Sequence, residues 1–332
     1  MKPTSISSLA VLVVKALKHA GIDPTRVFAE AGMDIKKIKD PNSRYEYESI
    51  TRLWRISARE TGDPCFGLIA ASYWHPTSMH ALGFAWMASA SLKGALKRAA
   101  RYSRMLNTVL LMRLEEKKEG YEFRLEIEPE HPQPADEAAD AGLAMIVRMC
   151  RISCGEDFSP IKVYMTREVN DCDDRYREYF RAPIEYSSRK IGLLFGKNVT
   201  EELLPTANAD LALSNDRIVS EYLARLDLND IEMQVQIKLI ELLPSGETSE
   251  ERIASKLNLS QRTLQRKLRE AGISYKNILE QTRRELATQY MKSSLLTISE
   301  ITYLLGFSET SNFSRAFKRW NGVSPSTYRM AS

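Results

Sequence analysis

The last third of the chain contains two similar stretches: residues 253–268 read IASKLNLSQRTLQRKL, and residues 301–317 read ITYLLGFSETSNFSRAF. Apolar positions 253, 257 and 259 match 301, 305 and 307 at an offset of 48, whereas 264 and 268 match 313 and 317 at 49. One residue is therefore inserted where the second helix of the later copy begins. Two short helices with inward apolar positions and a sharp break between them are typical of a helix-turn-helix unit. The sequence predicts two such units, at about 249–270 and 297–319.

Each copy has a suitable residue at the turn, Asn258 in the first and Gly306 in the second. The chain must leave the first helix there through a left-handed conformation, which Gly adopts freely and Asn tolerates. Helix caps are also present, because Ser and Thr hydroxyls can accept the free amide hydrogens of a first turn. The predicted caps are Ser260 and Ser308 for the second helices, Thr297 with Glu300 as a capping box, and Thr248 or Ser249 for the first helix of the earlier unit.

The outer face of each second helix carries side chains that can read DNA. Arg can form a forked pair with guanine, Gln and Asn can pair with adenine, and hydroxyl groups can reach bases or phosphates. The candidates for base reading are Arg262, Gln265, Arg266, Thr310, Ser311, Asn312 and Arg315. The candidates for phosphate contact are Ser260, Arg269, Ser308, Lys318, Arg319 and Arg329. An exposed helix of this composition is usually only solvated, but two copies with matching cores, turns and caps favour DNA reading.

Positive charge is concentrated in the same part of the chain. Residues 232–332 contain fifteen Lys and Arg against ten Glu and no Asp, a net charge of +5, whereas residues 1–231 have a net charge of −1. This distribution is expected of a region that meets a polyanion.

Between the two units, an apolar stripe over residues 274–294 predicts a linker helix of about 30 Å, at 1.5 Å per residue. That length is close to one turn of duplex DNA, so both recognition helices can face successive major grooves.

Residues 306–329, GFSETSNFSRAFKRWNGVSPSTYR, resemble the signature of the AraC family of transcription regulators. The resemblance covers about residues 232–330 and implies an all-α DNA-binding domain with two helix-turn-helix motifs joined by a linker helix. It also implies that base-reading positions are held by Arg262, Gln265 and Arg266 in the first unit and by Ser311, Asn312 and Arg315 in the second. The residues agree with this: Gly322 can end the recognition helix, Pro325 can open a final short helix, and Tyr328 can return to the core.

The first two thirds of the chain predict a mixed, α+β domain. Helical spacing from residue 6 to about 100 is broken at 21–24, 40–42 and 62–64. Strands are predicted at 109–115 and 121–127 with a hairpin turn at 117–120, and again at 161–165 and 191–195, around a helix at 136–154. We therefore predict a ligand-binding and dimerisation domain at 1–228 and a DNA-binding domain at 229–332, with the boundary near Asp227 to Asp230.

The N-terminal region resembles the ligand-binding domain of one AraC subgroup, whose members sense arginine-related amino acids or lipids. The resemblance rests on residues 176–180 (YREYF), on Pro183 with Ile184, and on residues 204–208 (LPTAN). The helical character of residues 1–100 argues against the double-sheet sugar-binding barrel of the family's best-known member. The resemblance implies a small-molecule effector without identifying it.

The four cysteines, Cys65, Cys150, Cys154 and Cys172, are too sparse for a disulfide framework, so we expect reduced thiols. Cys150 and Cys154 are one helical turn apart, which allows a redox pair or half of a metal site. Burial as small apolar residues is the favoured interpretation.

Two other classes of protein remain as alternatives. An enzyme could use the acidic cluster at 171–174 with His75 or His80, although acidic residues before a helix are usually dipole partners and no phosphate loop, nucleophile elbow or Cys-x-x-Cys pair is present. The second alternative is an adaptor protein whose DNA-binding domain is inactive.

We expect a cytoplasmic regulator without enzymatic activity, cofactor, metal or membrane association. Its expected partners are promoter DNA, a second copy of the chain, RNA polymerase and a small-molecule effector.

Overall fold

The computed structural model describes residues 2–226, 231–291 and 296–330. The chain forms two compact units, Met1–Ala207 and Asn208–Ser332. The division precedes the predicted end of the first domain at 228 because helix α10 (Ala209–Leu226) belongs to the second unit. Leu213 of α10 packs against the apolar core of the C-terminal helices. The predicted boundary itself, Asp227 to Asp230, lies outside the described residues.

The first unit combines helices with a mixed sheet, as predicted. Its helices are α1 (Ser7–His19), α2 (Pro24–Glu30), α3 (Tyr47–Thr61), α4 (Phe66–Ser72), α5 (His80–Met87), α6 (Leu92–Leu106), α7 (Asp136–Cys154), α8 (Asp173–Phe180) and α9 (Lys197–Glu201). Its strands are β1 (Thr4–Ile6), β2 (Arg44–Glu46), β3 (Leu110–Lys117), β4 (Gly120–Ile127), β5 (Lys162–Tyr164), β6 (Ile184–Glu185) and β7 (Ile191–Gly196). Short 3-10 helices lie at Ile35–Lys39 and Pro76–Met79. The predicted breaks therefore separate helices, and α7 has the predicted bounds.

Five strands form one sheet in the order β3-β4-β7-β5-β6, and β1 and β2 form a separate antiparallel pair. The predicted hairpin is confirmed, since Lys117 pairs with Gly120 across the turn. Strand β7 runs antiparallel to both β4 and β5, while β6 is parallel to β5. Within the described residues the unit is therefore a sheet covered by helices and not a double-sheet barrel, in agreement with the prediction.

Apolar and polar residues alternate along 121–127, which by itself assigns one face of β4 to solvent, and this expectation is wrong at Glu122. Tyr121 and Phe123 are buried as expected, but Glu122 is only 4% exposed. Its carboxylate accepts hydrogen bonds from Arg124 and Lys190, which cover it. Charged neighbours therefore bury a residue that strand alternation alone assigns to solvent.

A buried polar network explains the aromatic motif at 176–180. The Tyr176 hydroxyl donates to the Asp140 carboxylate at 2.6 Å, and Arg167 donates to the same carboxylate. The Tyr179 hydroxyl donates to the Ala144 carbonyl at 2.8 Å, and Arg151 donates to the Tyr179 carbonyl. These bonds attach α8 to α7, so the motif is part of the internal scaffold of the unit.

The expectation of four reduced thiols is wrong for two of them. Cys65 and Cys172 form a disulfide that joins the starts of α4 and α8 across 107 residues of sequence. Sequence spacing did not indicate this pair because tertiary folding alone brings the two positions together. Cys150 and Cys154 are free, and burial raises the pKa of both thiols, to about 11 for Cys154. Thiols of this kind are poor nucleophiles, in keeping with the apolar interpretation.

The second unit is helical throughout its regular elements. After α10 it contains α11 (Ile231–Leu242), α12 (Glu250–Lys256), α13 (Gln261–Glu270), α14 (Tyr275–Met291), α15 (Ile298–Leu304), α16 (Thr310–Asn321) and α17 (Pro325–Met330), with a 3-10 helix at Leu243–Ser245. The described linker helix α14 is 17 residues long. The last three residues of the predicted linker, 292–294, lie outside the described residues. None of the helices in the described ranges is both long and apolar enough to span a bilayer.

Two apolar clusters hold these helices together, one beneath each predicted helix-turn-helix unit. In the first, Leu264 and Leu268 of α13 meet Ile253 of α12 and Leu239 of α11. In the second, the residues that meet are Ile301, Leu305, Phe313 and Phe317, together with Leu286 of the linker helix. The predicted inward positions are therefore confirmed in both units.

Candidate DNA-binding interface

The turn of each unit has the predicted left-handed backbone. The φ angle is 55° at Asn258 and 67° at Gly306. The second turn has an additional constraint, because a Cβ on Gly306 would lie 2.8 Å from the carbonyl oxygen of Leu243. Gly306 is therefore required by packing as well as by backbone conformation.

Three of the four helix starts are capped as predicted. The hydroxyls of Ser249 and Ser260 accept from the amides of Arg252 and Thr263, both at 3.1 Å. Thr297 and Glu300 form the capping box. Ser308 does not cap α16, contrary to the prediction, because the inserted residue moves the helix start to Thr310 and places Glu309 at the N-cap without a side-chain cap.

Helix α13 presents its polar face as the sequence predicts. Arg262, Gln265, Arg266 and Arg269 are exposed, and the buried Leu264 and Leu268 lie on the opposite side. Arg266 pairs with Glu270 at 2.7 Å, and the Gln265 amide donates to Glu250 at 3.0 Å. Exposed pairs of this kind contribute little to stability, so these side chains can exchange them for contacts with DNA.

Helix α16 carries the second set of candidates in its first two turns. Ser311 and Arg315 are exposed, and Thr310 and Asn312 are half-buried. The Arg315 guanidinium donates to the Asn312 side-chain oxygen at 2.6 Å, and the Ser311 hydroxyl donates to Glu309 at 3.0 Å. Two of the candidate base-reading side chains are therefore bonded to each other in the absence of DNA.

The candidates for phosphate contact differ in accessibility. Ser260, Arg269, Ser308 and Lys318 are exposed, with the Ser260 hydroxyl engaged as a cap. Arg319 is exposed but donates to Glu280 of the linker helix at 2.7 Å, and the Trp320 indole donates to the same carboxylate at 2.9 Å. Arg329 is half-buried, with a guanidinium nitrogen 3.8 Å from the Met291 sulfur. Phosphate contact by these residues stays a prediction.

Arg283 of the linker helix was not identified from the sequence. Its Nε and Nη2 atoms donate to the carbonyls of Leu305 and Gly306, both at 2.9 Å, where α15 ends. The guanidinium also lies 4.5 Å from the centre of the Phe307 ring, and burial lowers its pKa. Arg283 thereby attaches the linker helix to the turn of the second unit. Its position four residues after the apolar Leu279 was the signal that it faces inward.

The residues proposed for an enzyme have structural contacts. The His75 ring accepts from the Thr77 amide and caps the 3-10 helix at Pro76–Met79, and burial lowers the pKa of His80. Hydrogen bonds from Arg177 and Tyr186 hold the pKa of Asp173 below its usual value. Within the described ranges, the acidic residues at 171–174 do not assemble three potential metal ligands.

Comparison with known proteins finds two family models that match separate parts of the chain. Residues 21–202 match the family model described as the arabinose-binding N-terminal domain of AraC transcription regulators, and residues 253–331 match a helix-turn-helix domain. The chain is 27% identical to the ornithine utilization regulator of Pseudomonas aeruginosa over 94% of this chain and 92% of that protein. It is also 27% identical to the transcriptional regulator VirS of Mycobacterium tuberculosis, over 84% and 82% of the two chains.

A solved structure has the same fold along nearly the whole chain. The transcriptional regulator CdpR of Pseudomonas aeruginosa is 20% identical, with a TM-score of 0.51 over 96% of this chain and 97% of that one. The matched N-terminal model covers more than half of the sequence, and the two helix-turn-helix units lie where the second model matches. On this evidence the chain belongs to the AraC family of transcription regulators.

Proposed function

We propose that this chain is a cytoplasmic, homodimeric regulator that reads promoter DNA with both helix-turn-helix units and responds to a small molecule held in its N-terminal unit. The observation that carries the proposal is the pair of exposed polar faces on α13 and α16, each supported by its own apolar cluster. We assign the main base-reading roles to Arg266 on the first face and Arg315 on the second.

The net charge of the C-terminal residues supports DNA as the partner. Residues 232–332 have a net charge of +5, and proteins that neutralise several phosphates bind less tightly as salt rises, because bound counterions are released. An adaptor that docks only on protein has no such requirement. A steep, linear fall of log affinity with log salt concentration therefore separates the two functions.

The direct test is substitution of the two arginines in the full-length chain. Footprinting across the genome supplies the bound duplex, and fluorescence anisotropy then measures its affinity. Arg266→Ala and Arg315→Ala are each expected to cost about 1–3 kcal/mol of specific binding, since each removes a forked contact with a base. Lys238→Ala, which removes the same charge from α11, serves as the control and is expected to change affinity little. Unchanged affinity in both arginine variants would remove the assignment.

The proposed dimer follows from the way such regulators bind DNA. Joining two DNA-binding units raises the effective concentration of the second once the first is bound. We place the interface within the N-terminal unit, and contact with RNA polymerase at the promoter is part of the same proposal. Light scattering that shows only monomer at high micromolar concentration would contradict the dimer.

A further inference from the structure

The N-terminal unit encloses a cavity of about 170 Å³ between its sheet and its helices. Helices α1, α3, α5, α6 and α7 form the helical walls, and strands β3, β4 and β7 contribute side chains from the sheet. The cavity lies wholly within residues 5–191, inside the part of the chain that matches the ligand-binding family model or directly precedes it. It is therefore a candidate effector site.

The wall of this cavity is almost entirely apolar and largely aromatic. Trp54, Trp74 and Trp86 line it together with Tyr47, and methionines such as Met145 and Met149 fill the spaces between them. Aromatic rings favour other rings through edge-to-face and offset contacts. Methionine side chains adapt their shape and make favourable sulfur contacts with rings. This combination suits a flat, apolar ligand.

The charge of the wall argues against an anionic ligand. No Lys, Arg or His is found among the described residues that line the cavity. The one acidic residue in the wall, Glu126, pairs with Arg113 at 2.9 Å. A carboxylate would therefore be buried without a counterion, at a high cost in desolvation.

Several polar groups of the wall are already bonded within the protein. The Tyr47 hydroxyl donates to the Pro132 carbonyl at 2.9 Å, and the Thr51 hydroxyl donates to the Tyr47 carbonyl at 3.1 Å. The Asn107 side chain accepts from the Val109 amide at 3.1 Å. A sugar with several hydroxyl groups would lose its bonds to water here without replacing them.

Trp74 differs from the other aromatic residues of the wall. It is 2% exposed, and its indole Nε1 has no hydrogen-bond partner in the described part of the chain. Trp86 lines the same cavity, but its Nε1 donates to the Ser153 hydroxyl at 3.2 Å. Buried indole N–H groups usually have an acceptor. The Nε1 atom of Trp74 has almost no accessible surface, so an acceptor on a ligand would reach it once the indole ring turns toward the cavity.

We propose that the effector of this regulator is an uncharged aromatic molecule with a single hydrogen-bond acceptor, which binds in this cavity and accepts from Trp74. A cavity of about 150 Å³ is known to hold benzene, so a single ring with a short substituent matches the size. This assignment rests on the proposed function, in which the N-terminal unit senses a small molecule. It departs from a sugar and from a charged amino acid, which the names of the family model and of one relative suggest.

Three probes of nearly equal size and shape test the proposal on the full-length protein. Acetophenone is neutral and carries an acceptor, α-methylstyrene replaces that oxygen with a methylene group, and benzoate carries a charge. Acetophenone at ten times its Kd is expected to raise Tm by about 3–6 °C, because it binds the folded state alone. Benzoate, L-arabinose and L-ornithine at the same concentration are expected to leave Tm unchanged. A shift with benzoate equal to that with acetophenone would overturn the proposal.

Two matched substitutions test the role of Trp74. Trp74→Phe removes the free donor and is expected to weaken acetophenone about five- to tenfold relative to α-methylstyrene. Trp86→Phe removes an indole whose donor is already used, so both probes should change by the same factor. Ala139→Leu fills the cavity and should abolish binding of both, and the tryptophan pair decides the question if that variant does not fold. An equal loss for both probes in Trp74→Phe would overturn the assigned hydrogen bond.

Affinity for the duplex obtained by footprinting separates this inference from the proposed function. It is measured in parallel with probe binding. Acetophenone is expected to change that affinity about fivefold or more, as an effector must. Duplex binding without binding of the neutral probes would overturn the cavity assignment and leave the DNA-binding proposal standing. Probe binding without any specific duplex would support the cavity and contradict the regulator. Probe binding that leaves duplex affinity unchanged would overturn its role as effector site.

Discussion

The two helix-turn-helix units have the same architecture but are held in place differently. In the first unit the turn residue Asn258 is exposed, and Ser260 caps the recognition helix. In the second, Gly306 packs against the Leu243 carbonyl, and Arg283 donates to the carbonyls at the end of α15. The first unit therefore depends on its own turn and cap, whereas the second depends on its neighbours in the domain.

This difference has a consequence for how the recognition helices are oriented. Arg283 and Glu280 both belong to the linker helix α14, and both contact the second unit, through the turn and through Trp320. The orientation of α16 is thus coupled to the linker through polar contacts, while α13 is oriented by α11, α12 and Ile278 of the linker through the first apolar cluster. Repeated sequence patterns can therefore produce equivalent helices with different mechanical support.

Exchanging the two turn residues is expected to have the largest effect. Gly306→Asn should lower the free energy of unfolding by about 2–4 kcal/mol, because the added Cβ would clash with the Leu243 carbonyl. Asn258→Gly should change it by less than about 1 kcal/mol, since both residues accept the left-handed backbone. Hydrogen exchange of the amides in α12 to α16 of the full-length chain measures both. Equal effects at the two turns would show that backbone conformation, and not packing, sets the requirement.

Removal of the Arg283 side chain should have the next largest effect. Arg283→Met is expected to cost about 2 kcal/mol, because two partly buried carbonyls lose a charged donor. Arg283→Lys should recover only part of this, since an ammonium cannot fork onto two carbonyls. Arg284→Met, at the adjacent exposed position, is the control. Hydrogen exchange should show the loss in α15 and α16, and an equal loss of protection in α13 would contradict the separate support of the two units.

The smallest expected effect concerns the two serines that occupy matching places in the repeat. Ser260→Ala should lower stability by about 1 kcal/mol, because the cap of α13 is lost. Ser308→Ala should change it by no more than about 0.3 kcal/mol, since Ser308 is not the N-cap of α16. Thermal unfolding of the two variants beside the unchanged chain measures the difference. A larger loss in Ser308→Ala than in Ser260→Ala would contradict the assigned caps.

Local features of the fold were predictable because they depend on neighbours in sequence. Apolar spacing located the helices of both units, and Asn258 and Gly306 marked the turns. Period-two alternation located the β3–β4 hairpin. The predicted cap at Ser308 was wrong because a single inserted residue shifts the start of α16, and the repeat alone did not show how the helix would absorb it.

Features made by residues far apart in sequence were not predictable in this way. Three of them arise from tertiary contacts. They are the Cys65–Cys172 disulfide, the burial of Glu122 beneath Arg124 and Lys190, and the placement of α10 in the second unit. The free indole of Trp74 belongs to the same group, since a donor is unpaired only when the whole environment is known.

The amino-acid sequence by itself determined that the chain carries two helix-turn-helix units with cationic outer faces, because periodicity, turn residues and charge are local properties of the chain. Only the tertiary structure decided which of those side chains are engaged, how the second unit is attached to the linker helix, and that the N-terminal unit encloses an apolar, aromatic cavity. The physical reason is that pairing and enclosure require groups from distant segments to meet, and folding alone brings them together.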